Sequence, residues 1–392
     1  MNKEKLWTKD FLIVSGVNFL LTLVFYLLIV IIGVFAVNEY HATTSQAGLV
    51  TGIFIVGTLI GRLCIGRYID SIGRKRTLFI GLILFISTTV LYFIHLGITF
   101  LLITRLLHGI TLGIASTATG TIVAQVIPNT RKGEGIGYYS MSTTLATAIG
   151  PFIGLYMTQH TSTQWIFILC LALGLFSFIT ALFVRVPVLV ITKETTEKGF
   201  KLSQFIEPNA VPIAVITLVV AFCYSSVLSF INFYAIEIDL VSTASFFFLF
   251  YSLAVLISRP FTGRLMDVKG ANTVMYPAFI LFAIGMYLLG VAQNSFTFLL
   301  GGVLIGLGFG NMQSCTQAIA IKLNPSHRMG LATSTFFIFL DAGLGFGPYL
   351  LGFFIPTLSY SMLYLILAFV VLASSGLYFL LHGKKDKVVF SE

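Results

Sequence analysis

The chain has 392 residues, of which 57% are hydrophobic and only 9% are charged, and its mean hydropathy is +0.99. Because soluble domains carry about a quarter charged residues, this composition excludes a soluble globular protein. The net charge of +9 does not indicate nucleic-acid binding, since that would require a basic face clustered on a soluble domain.

Apolar runs long enough to cross about 30 Å of hydrocarbon as helices recur along the whole chain. Only helices and closed barrels can span a bilayer, and the alternating pattern of barrel strands is absent from this sequence. We predict twelve spans, at 11–37, 46–69, 77–95, 99–126, 134–158, 164–184, 210–236, 243–266, 273–292, 296–322, 330–355 and 360–381. The sequence therefore predicts an all-α, multi-pass membrane protein. The first run is too long for a signal-peptide core and is taken as a mature span.

The loops between these spans differ in charge according to their side. Lysine and arginine fall on the side that holds both termini and the long connection 185–208. The opposite loops carry Glu39, Glu237, Asp239 and histidines, but no lysine or arginine. By the positive-inside rule, we expect both termini and the long connection in the cytoplasm, with the protein in a bacterial plasma (inner) membrane.

The cysteines show no spacing typical of a metal site. Cys64, Cys170, Cys223 and Cys315 lie inside predicted spans, without a CxxC or Cys/His pattern. We predict that they are small buried apolar residues, with neither a disulfide nor a metal. No recurring nucleophile or acid–base pair indicates an enzyme, and no filter loop indicates a channel.

The first half of the chain carries three motifs. They are GRYIDSIGRKR at 66–76, with Gly66, Arg67, Asp70, Gly73 and Arg74; RLLHGITLG at 105–113, with Arg105, His108, Gly109 and Gly113; and ATAIGPFIG at 146–154, with Gly150, Pro151 and Gly154. A glycine-proline pair cannot keep normal mid-helix hydrogen bonds, so we expect the fifth span, and the eleventh span at Gly347 and Pro348, to bend or thin there.

The second half repeats these motifs at a single offset of 197 positions. The matched pairs are Arg62 and Arg259, Gly66 and Gly263, Arg67 and Arg264, Asp70 and Asp267, Gly73 and Gly270, Gly109 and Gly306, Gly113 and Gly310, Pro128 and Pro325, Arg131 and Arg328, Gly133 and Gly330, Gly150 and Gly347, and Pro151 and Pro348. The repeat predicts two pseudo-symmetric six-helix bundles, 1–184 and 209–392, joined by the cytoplasmic linker 185–208. Parallel repeats of this kind are typical of transporters that bind substrate near the membrane midplane.

The motifs resemble those of a known family. GRYIDSIGRKR resembles the helix 2–3 loop signature of the major facilitator superfamily, and Arg105, Gly109 and Gly113 resemble its helix 4 motif. ATAIGPFIG is similar to the helix 5 motif of the drug–proton antiporters of that superfamily, although Ala146 stands where that motif has glycine. The resemblance covers the whole chain in span count and repeat. It implies the major facilitator fold and transport driven by the proton motive force, without a cofactor.

The resemblance also implies a role for the loop motif. An acid at a helix C-terminus is unfavourable unless an arginine or another helix's N-terminus receives it. The resemblance implies that Asp70 is received in this way by the other half, near Arg67 and Arg74, and latches the cytoplasmic side. Gly263, Arg264 and Asp267 would do the same in the second half. The alternative for Arg74, Lys75 and Arg76 is a plain positive-inside stop signal.

Several polar residues lie within the spans. An intramembrane arginine such as Arg105 is usually paired or faces a water-filled cavity. The resemblance implies a part in proton coupling or substrate binding, and the alternative is structural pairing to backbone carbonyls. His108, near the same face, either relays protons or packs as a neutral side chain. We interpret Arg62 and Arg259 as structural residues that snorkel or form ion pairs.

Asp341 is the most unusual residue of the sequence. It is the lone charge of FFIFLDAGLGFGPYLLG, 336–352, and its repeat counterpart is Thr144, so the acid was placed in one half only. A carboxylate at low dielectric can hold a proton in one state and a cation in another. Gln313 and Gln317 can line one side of a cavity, and the fold implied by the resemblance adds Tyr26, Phe230, Asn232 and Phe233.

The sequence thus predicts a proton-coupled efflux antiporter for amphipathic, cationic or zwitterionic small molecules, of the multidrug-resistance type. The alternatives are a dedicated metabolite exporter, for example of an opine-type metallophore, a proton-coupled uptake symporter, and a non-transporting receptor or scaffold. The expected partners are the small-molecule substrate, protons and the lipid bilayer, without nucleic acid. We expect a monomer.

Overall fold

The computed structural model describes residues 5–187, 205–355 and 357–384, and these residues form helices and turns without a strand. The α-helices are α1 Lys9–Tyr40, α2 Thr44–Ile72, α3 Arg74–Val90, α4 Ile98–Val126, α5 Lys132–His160, α6 Thr163–Leu182, α7 Val211–Glu237, α8 Val241–Lys269, α9 Asn272–Gly290, α10 Ser295–Ile305, α11 Asn311–Lys322, α12 Met329–Gly352 and α13 Tyr360–Tyr378. A π-helical turn, Gly306–Gly310, joins α10 to α11, and a second, Phe379–Gly383, continues α13.

Each of the twelve predicted spans coincides with a helix, because α10, the π-helical turn and α11 form one continuous segment, Ser295–Lys322. Within the described residues, eleven helical segments are both long and apolar enough to cross a membrane. The remaining helix, α5, has 29 residues but is rich in glycine, serine and threonine. Its composition, and not its length, separates it from the others.

Residue contacts divide the chain into two compact units. Unit 1 comprises Met1–Pro128, Leu145–Glu207 and Asn324–Phe337, and unit 2 comprises Asn129–Thr144, Pro208–Leu323 and Ile338–Glu392. Each unit therefore includes one short segment from the other half of the sequence repeat, so that α5 and α12 each contribute to both units. The boundaries predicted from the repeat, 1–184, 185–208 and 209–392, stay a prediction.

In unit 1, the glycines of the α5 motif bring this helix close to α1. A Cβ atom on Gly150 would lie 2.7 Å from the Cβ atom of Tyr26, and one on Gly154 would lie 2.8 Å from the Leu27 carbonyl oxygen. Small residues allow such approach between membrane helices. Pro151 lies inside the continuous helix α5, and the predicted bend there stays a prediction.

In unit 2, α12 approaches α7 in the corresponding way. A Cβ atom on Gly343 would lie 2.5 Å from the Leu218 carbonyl oxygen, and one on Gly347 would overlap Ser225. Pro348 lies inside the continuous helix α12. The glycine-rich half of 336–352 thus packs α12 against α7.

Two glycines of α12 allow this packing to be tested. Gly343→Ala is expected to destabilise unit 2 by about 1–3 kcal/mol, because overpacking forces the two helices apart. Gly352→Ala is the matched control, since a Cβ atom there meets nothing within 4 Å. The unfolding temperature of the purified protein should fall for Gly343→Ala and stay unchanged for Gly352→Ala. Equal unfolding temperatures for the two variants would contradict the proposed close contact.

Candidate transport site and helix caps

Asp341 lies in the middle of α12, about 18 Å from the start of that helix. It is half-buried, and the 24 residues of α12 include no other charged side chain. The carboxylate is therefore neither enclosed in the core nor fully on the surface.

The repeat counterpart of Asp341 binds an arginine. Thr144 is buried, and its hydroxyl accepts a 2.9 Å hydrogen bond from a terminal nitrogen of Arg259, the counterpart of Arg62. Asp341 thus occupies the position at which the other copy of the repeat receives a guanidinium group. The two copies of the repeat therefore differ here by a carboxylate in place of a hydroxyl.

Arg259 differs from the prediction. It is 1% exposed and does not snorkel, and its described partners are the Thr144 hydroxyl and the Gly310 carbonyl oxygen, not a carboxylate. Gly310 is the last residue of the π-helical turn, and its carbonyl oxygen lies within hydrogen-bond distance of the buried Arg259 guanidinium. The predicted ion-pair role is therefore wrong for Arg259. Arg62 is also buried, with its guanidinium 4.2 Å from the centre of the Phe337 ring.

The Asp70 carboxylate, at the end of α2, caps the N-terminus of α12 within unit 1. The Gly330 backbone N–H donates to its carboxylate, and the Arg74 side chain donates to the same carboxylate at 2.9 Å. Arg74 also donates to Gln125 at 2.9 Å and to the Ser326 carbonyl oxygen. We call Asp70, Arg74 and Gly330 the Asp70 cap. Arg74 is only 4% exposed, and the alternative of a plain positive-inside stop signal stays open.

Asp267, at the end of α8, receives the start of α5 in the same way within unit 2. Its carboxylate accepts backbone hydrogen bonds from Gly133 at 2.7 Å and Glu134 at 2.8 Å, and Lys322 donates to it at 2.8 Å. We call these four residues the Asp267 cap. The first N–H groups of a helix lack intrahelical partners and attract anions, which explains both arrangements. The two caps are related by the 197-residue offset of the sequence.

The glycines of both caps allow the helices to approach. A Cβ atom on Gly263 would lie 2.7 Å from the Gly133 carbonyl oxygen, and one on Gly66 would overlap Ser334. Gly73 ends α2 with a positive φ of 98°, a conformation that glycine adopts without strain. Arg264 is exposed, and Arg67 lies 5.0 Å from the centre of the Phe205 ring. The gating role predicted for these residues stays a prediction.

Arg105 and His108 share a partner that the sequence did not single out. Arg105 donates to the Val50 carbonyl oxygen and to the Tyr92 hydroxyl, both at 3.2 Å, and lies 4.4 Å from the centre of the Phe54 ring. The Tyr92 hydroxyl is also 3.0 Å from Nδ1 of His108. Arg105 and His108 are 0% exposed. The hydrogen bond from Arg105 to the Val50 carbonyl oxygen is the structural pairing that the sequence left as an alternative. A part of Arg105 or His108 in proton coupling stays a prediction.

The remaining predicted site residues differ in their burial. Gln317 is buried, with its side-chain oxygen 3.5 Å from the Ser140 hydroxyl, whereas Gln313 and Tyr26 are half-buried and Asn232 is exposed. Cys170, Cys223 and Cys315 are buried, but Cys64 is exposed on α2, so its predicted burial is wrong. A lipid-facing surface is as apolar as the core, so an apolar residue there needs no protein cover.

A cavity of about 440 Å³ lies at the end of unit 1 where α1 and α5 end and α6 begins. Glu39 and His95 line it and are joined by a 3.1 Å contact between the carboxylate and Nδ1. The sequence prediction missed this cavity. The signal was weak: a single acid and a single histidine, near the ends of the first and third predicted spans, on the side of the chain whose loops lack lysine and arginine.

A comparison of the sequence with models of protein families identifies the family of this chain. The family model described as Major Facilitator Superfamily matches residues 14–267 and 240–391. The chain belongs to the major facilitator superfamily. The protein is therefore a multi-pass membrane transporter, and its all-helical fold is the one that the repeat and the motifs predicted.

Relatives in this superfamily cover most of the chain at low identity. An uncharacterised MFS-type transporter of Methanocaldococcus jannaschii is 24% identical over 92% of this chain and 92% of its own length. Multidrug resistance protein 2 of Bacillus subtilis is 23% identical over 88% of each chain. Quinolone resistance protein NorA of Staphylococcus aureus is 27% identical over 58% of this chain and 57% of its own.

A solved structure shares the fold. The human organic anion transporter MFSD10 (TETRAN) aligns with a TM-score of 0.81, over 94% of this chain and 98% of its own, at 13% sequence identity. At this identity the similarity concerns the fold alone. It supports the twelve-helix major facilitator architecture of this transporter.

Proposed function

We propose that this major facilitator transporter is a proton-coupled efflux antiporter for amphipathic cationic or zwitterionic small molecules, in a bacterial plasma membrane with both termini cytoplasmic. The observation that carries the proposal is Asp341, a half-buried carboxylate in the middle of a helix without any other charge. Relatives named as multidrug and quinolone resistance proteins support the substrate class.

The exchange follows from the chemistry of one carboxylate. When Asp341 faces the cytoplasm, it releases its proton there and the anionic carboxylate attracts a cationic substrate. When the site faces outward, a proton from the more acidic exterior returns to the carboxylate and the substrate cation leaves. Protons thus enter as the substrate is exported, and no cofactor takes part.

The two caps support the alternation between these states. Each joins helices that belong to opposite halves of the repeat: Asp70 receives the start of α12, and Asp267 receives the start of α5. Carboxylate contacts with backbone N–H groups are made and broken without covalent change. They are therefore suited to hold one state of a transporter that transports by alternating access.

Transport by inverted membrane vesicles tests this function. A panel of amphipathic cations, zwitterions and anions of similar size, together with an opine-type metallophore, is offered to vesicles with an acidified interior. We expect the cations and zwitterions to accumulate and the accumulation to stop when a protonophore dissipates the gradient. Accumulation of the metallophore alone would favour a dedicated exporter, and substrate movement in the same direction as protons would contradict antiport.

A further inference from the structure

We propose that the cavity between the ends of α1 and α5 and the start of α6 is a binding site for a lipophilic organic cation, with Glu39 as its counter-charge. The site lies wholly within unit 1, and α12 contributes no residue to it. It is therefore separate from Asp341 and does not rest on the proposed function.

The size of the cavity suits a small organic ligand. Its volume of about 440 Å³ falls within the roughly 300–1,000 Å³ of small-molecule sites in proteins. Phe35 and Phe167 line it with a ring-centre distance of 5.3 Å, and Asn38 and Gln164 add polar groups without charge. Ile31 and Val34 add apolar surface, and the other lining residues are polar, so the cavity presents both kinds of surface to a ligand.

The charge of the lining selects a cation. Glu39 is its only acid, and its lining residues include no lysine or arginine. Aromatic ring faces attract organic cations, and the carboxylate adds a direct ionic contact. A metal ion fits less well, because the described residues include no group of three or more histidine, cysteine, aspartate or glutamate side chains arranged to hold one.

His95 competes with the cation for Glu39. Its Nδ1 lies 3.1 Å from the Glu39 carboxylate, so a protonated His95 neutralises the charge that the ligand needs. The side chain of Tyr40 also faces His95, while the residues of α5 and α6 that line the cavity carry no charge. The contact between His95 and Glu39 must break before a cation can pair with the Glu39 carboxylate, so removal of the imidazole should strengthen cation binding.

Binding of tetraphenylphosphonium to the protein in lipid nanodiscs tests the site, with empty nanodiscs as the blank. Asp341→Asn protein is used so that the carboxylate of α12 does not compete with Glu39 for the probe. We expect this protein to bind the probe, and Glu39→Gln in the same background to weaken the affinity by about three- to tenfold, because the carboxylate is partly exposed. Tetraphenylborate has the same shape and the opposite charge, and it should not compete.

The matched control is Glu237→Gln, which removes an exposed acid from the end of α7 and lies outside the cavity. It should leave the affinity unchanged. Equal affinities with and without the Glu39 carboxylate, or competition by tetraphenylborate, would overturn the proposal. Displacement of the probe by Zn²⁺ at stoichiometric concentration would also overturn it, in favour of a metal site.

The His95 part of the proposal has its own readout. In His95→Gln, made in the Asp341→Asn background, the affinity for tetraphenylphosphonium should rise about three- to tenfold, because the imidazole that occupies the Glu39 carboxylate is gone. An equal or weaker affinity in His95→Gln would overturn the competition between His95 and the ligand. None of these outcomes depends on whether Asp341 couples export to protons.

Discussion

Asp341→Asn is expected to fold and insert as the wild-type protein does, but to lower proton-driven export by about 10- to 100-fold, the range of one charge-assisted contact. Asparagine keeps the shape of the side chain and a hydrogen-bonding oxygen, but it can neither release a proton nor carry a negative charge. The measurement is accumulation of a cationic substrate in inverted vesicles with an acidic interior.

A second acid provides the control for this substitution. Asp239 lies in the turn between α7 and α8 with a positive φ of 56°, a conformation that asparagine also adopts readily. Asp239→Asn makes the same chemical change away from α12 and should export at the wild-type rate. Asp341→Glu, which restores an exchangeable proton, should recover part of the export. Normal accumulation by Asp341→Asn would show that another group couples transport to protons.

Removal of the charge from the Asp267 cap is expected to give the second large effect. The Gly133 N–H and Lys322 donate to one carboxylate oxygen of Asp267, and the Glu134 N–H donates to the other. In Asp267→Asn only one oxygen remains, so at least one of these donors meets the amide N–H₂ group instead of an acceptor. The loss should be about 1–3 kcal/mol, as for a buried donor left without its partner. The unfolding temperature of the purified protein should fall accordingly.

The Asp70 cap should show a smaller effect of the same kind. The Asp70 side chain is 16% exposed, against 5% for Asp267, so water can replace more of the hydrogen bonds that are lost in Asp70→Asn. The caps share no residue, so the two losses should add within about 0.5 kcal/mol in the double variant. Glu237→Gln, which changes an exposed acid at the end of α7, should leave the unfolding temperature unchanged. An unchanged unfolding temperature in Asp267→Asn would contradict the cap.

The helices could be predicted from the sequence because a membrane helix must be continuously apolar over a fixed length. Even α5, whose glycines and hydroxyl side chains lower its hydropathy, was recovered as a predicted span. The repeat also indicated which acids would meet helix starts, since one offset relates Asp70 and Gly330 to Asp267 and Gly133. These features depend on local composition or on a sequence pattern.

The contacts between spans could not be predicted in this way. Tyr92 lies 13 positions from Arg105 and 16 from His108, and no motif connects them. The burial of Arg259 depends on the carbonyl of a π-helical turn, which the sequence GLGFG does not reveal by itself. The cavity at Glu39 and His95 is formed by residues from four separate segments, so its volume is a property of packing.

Substrate-induced proton release from purified protein is the most direct test of the central claim. Addition of a transported cation to weakly buffered wild-type protein should release protons, because the cation replaces the proton held at Asp341. In Asp341→Asn the same addition should release none, while Asp239→Asn should release as much as the wild type. Undiminished proton release in Asp341→Asn would contradict the account.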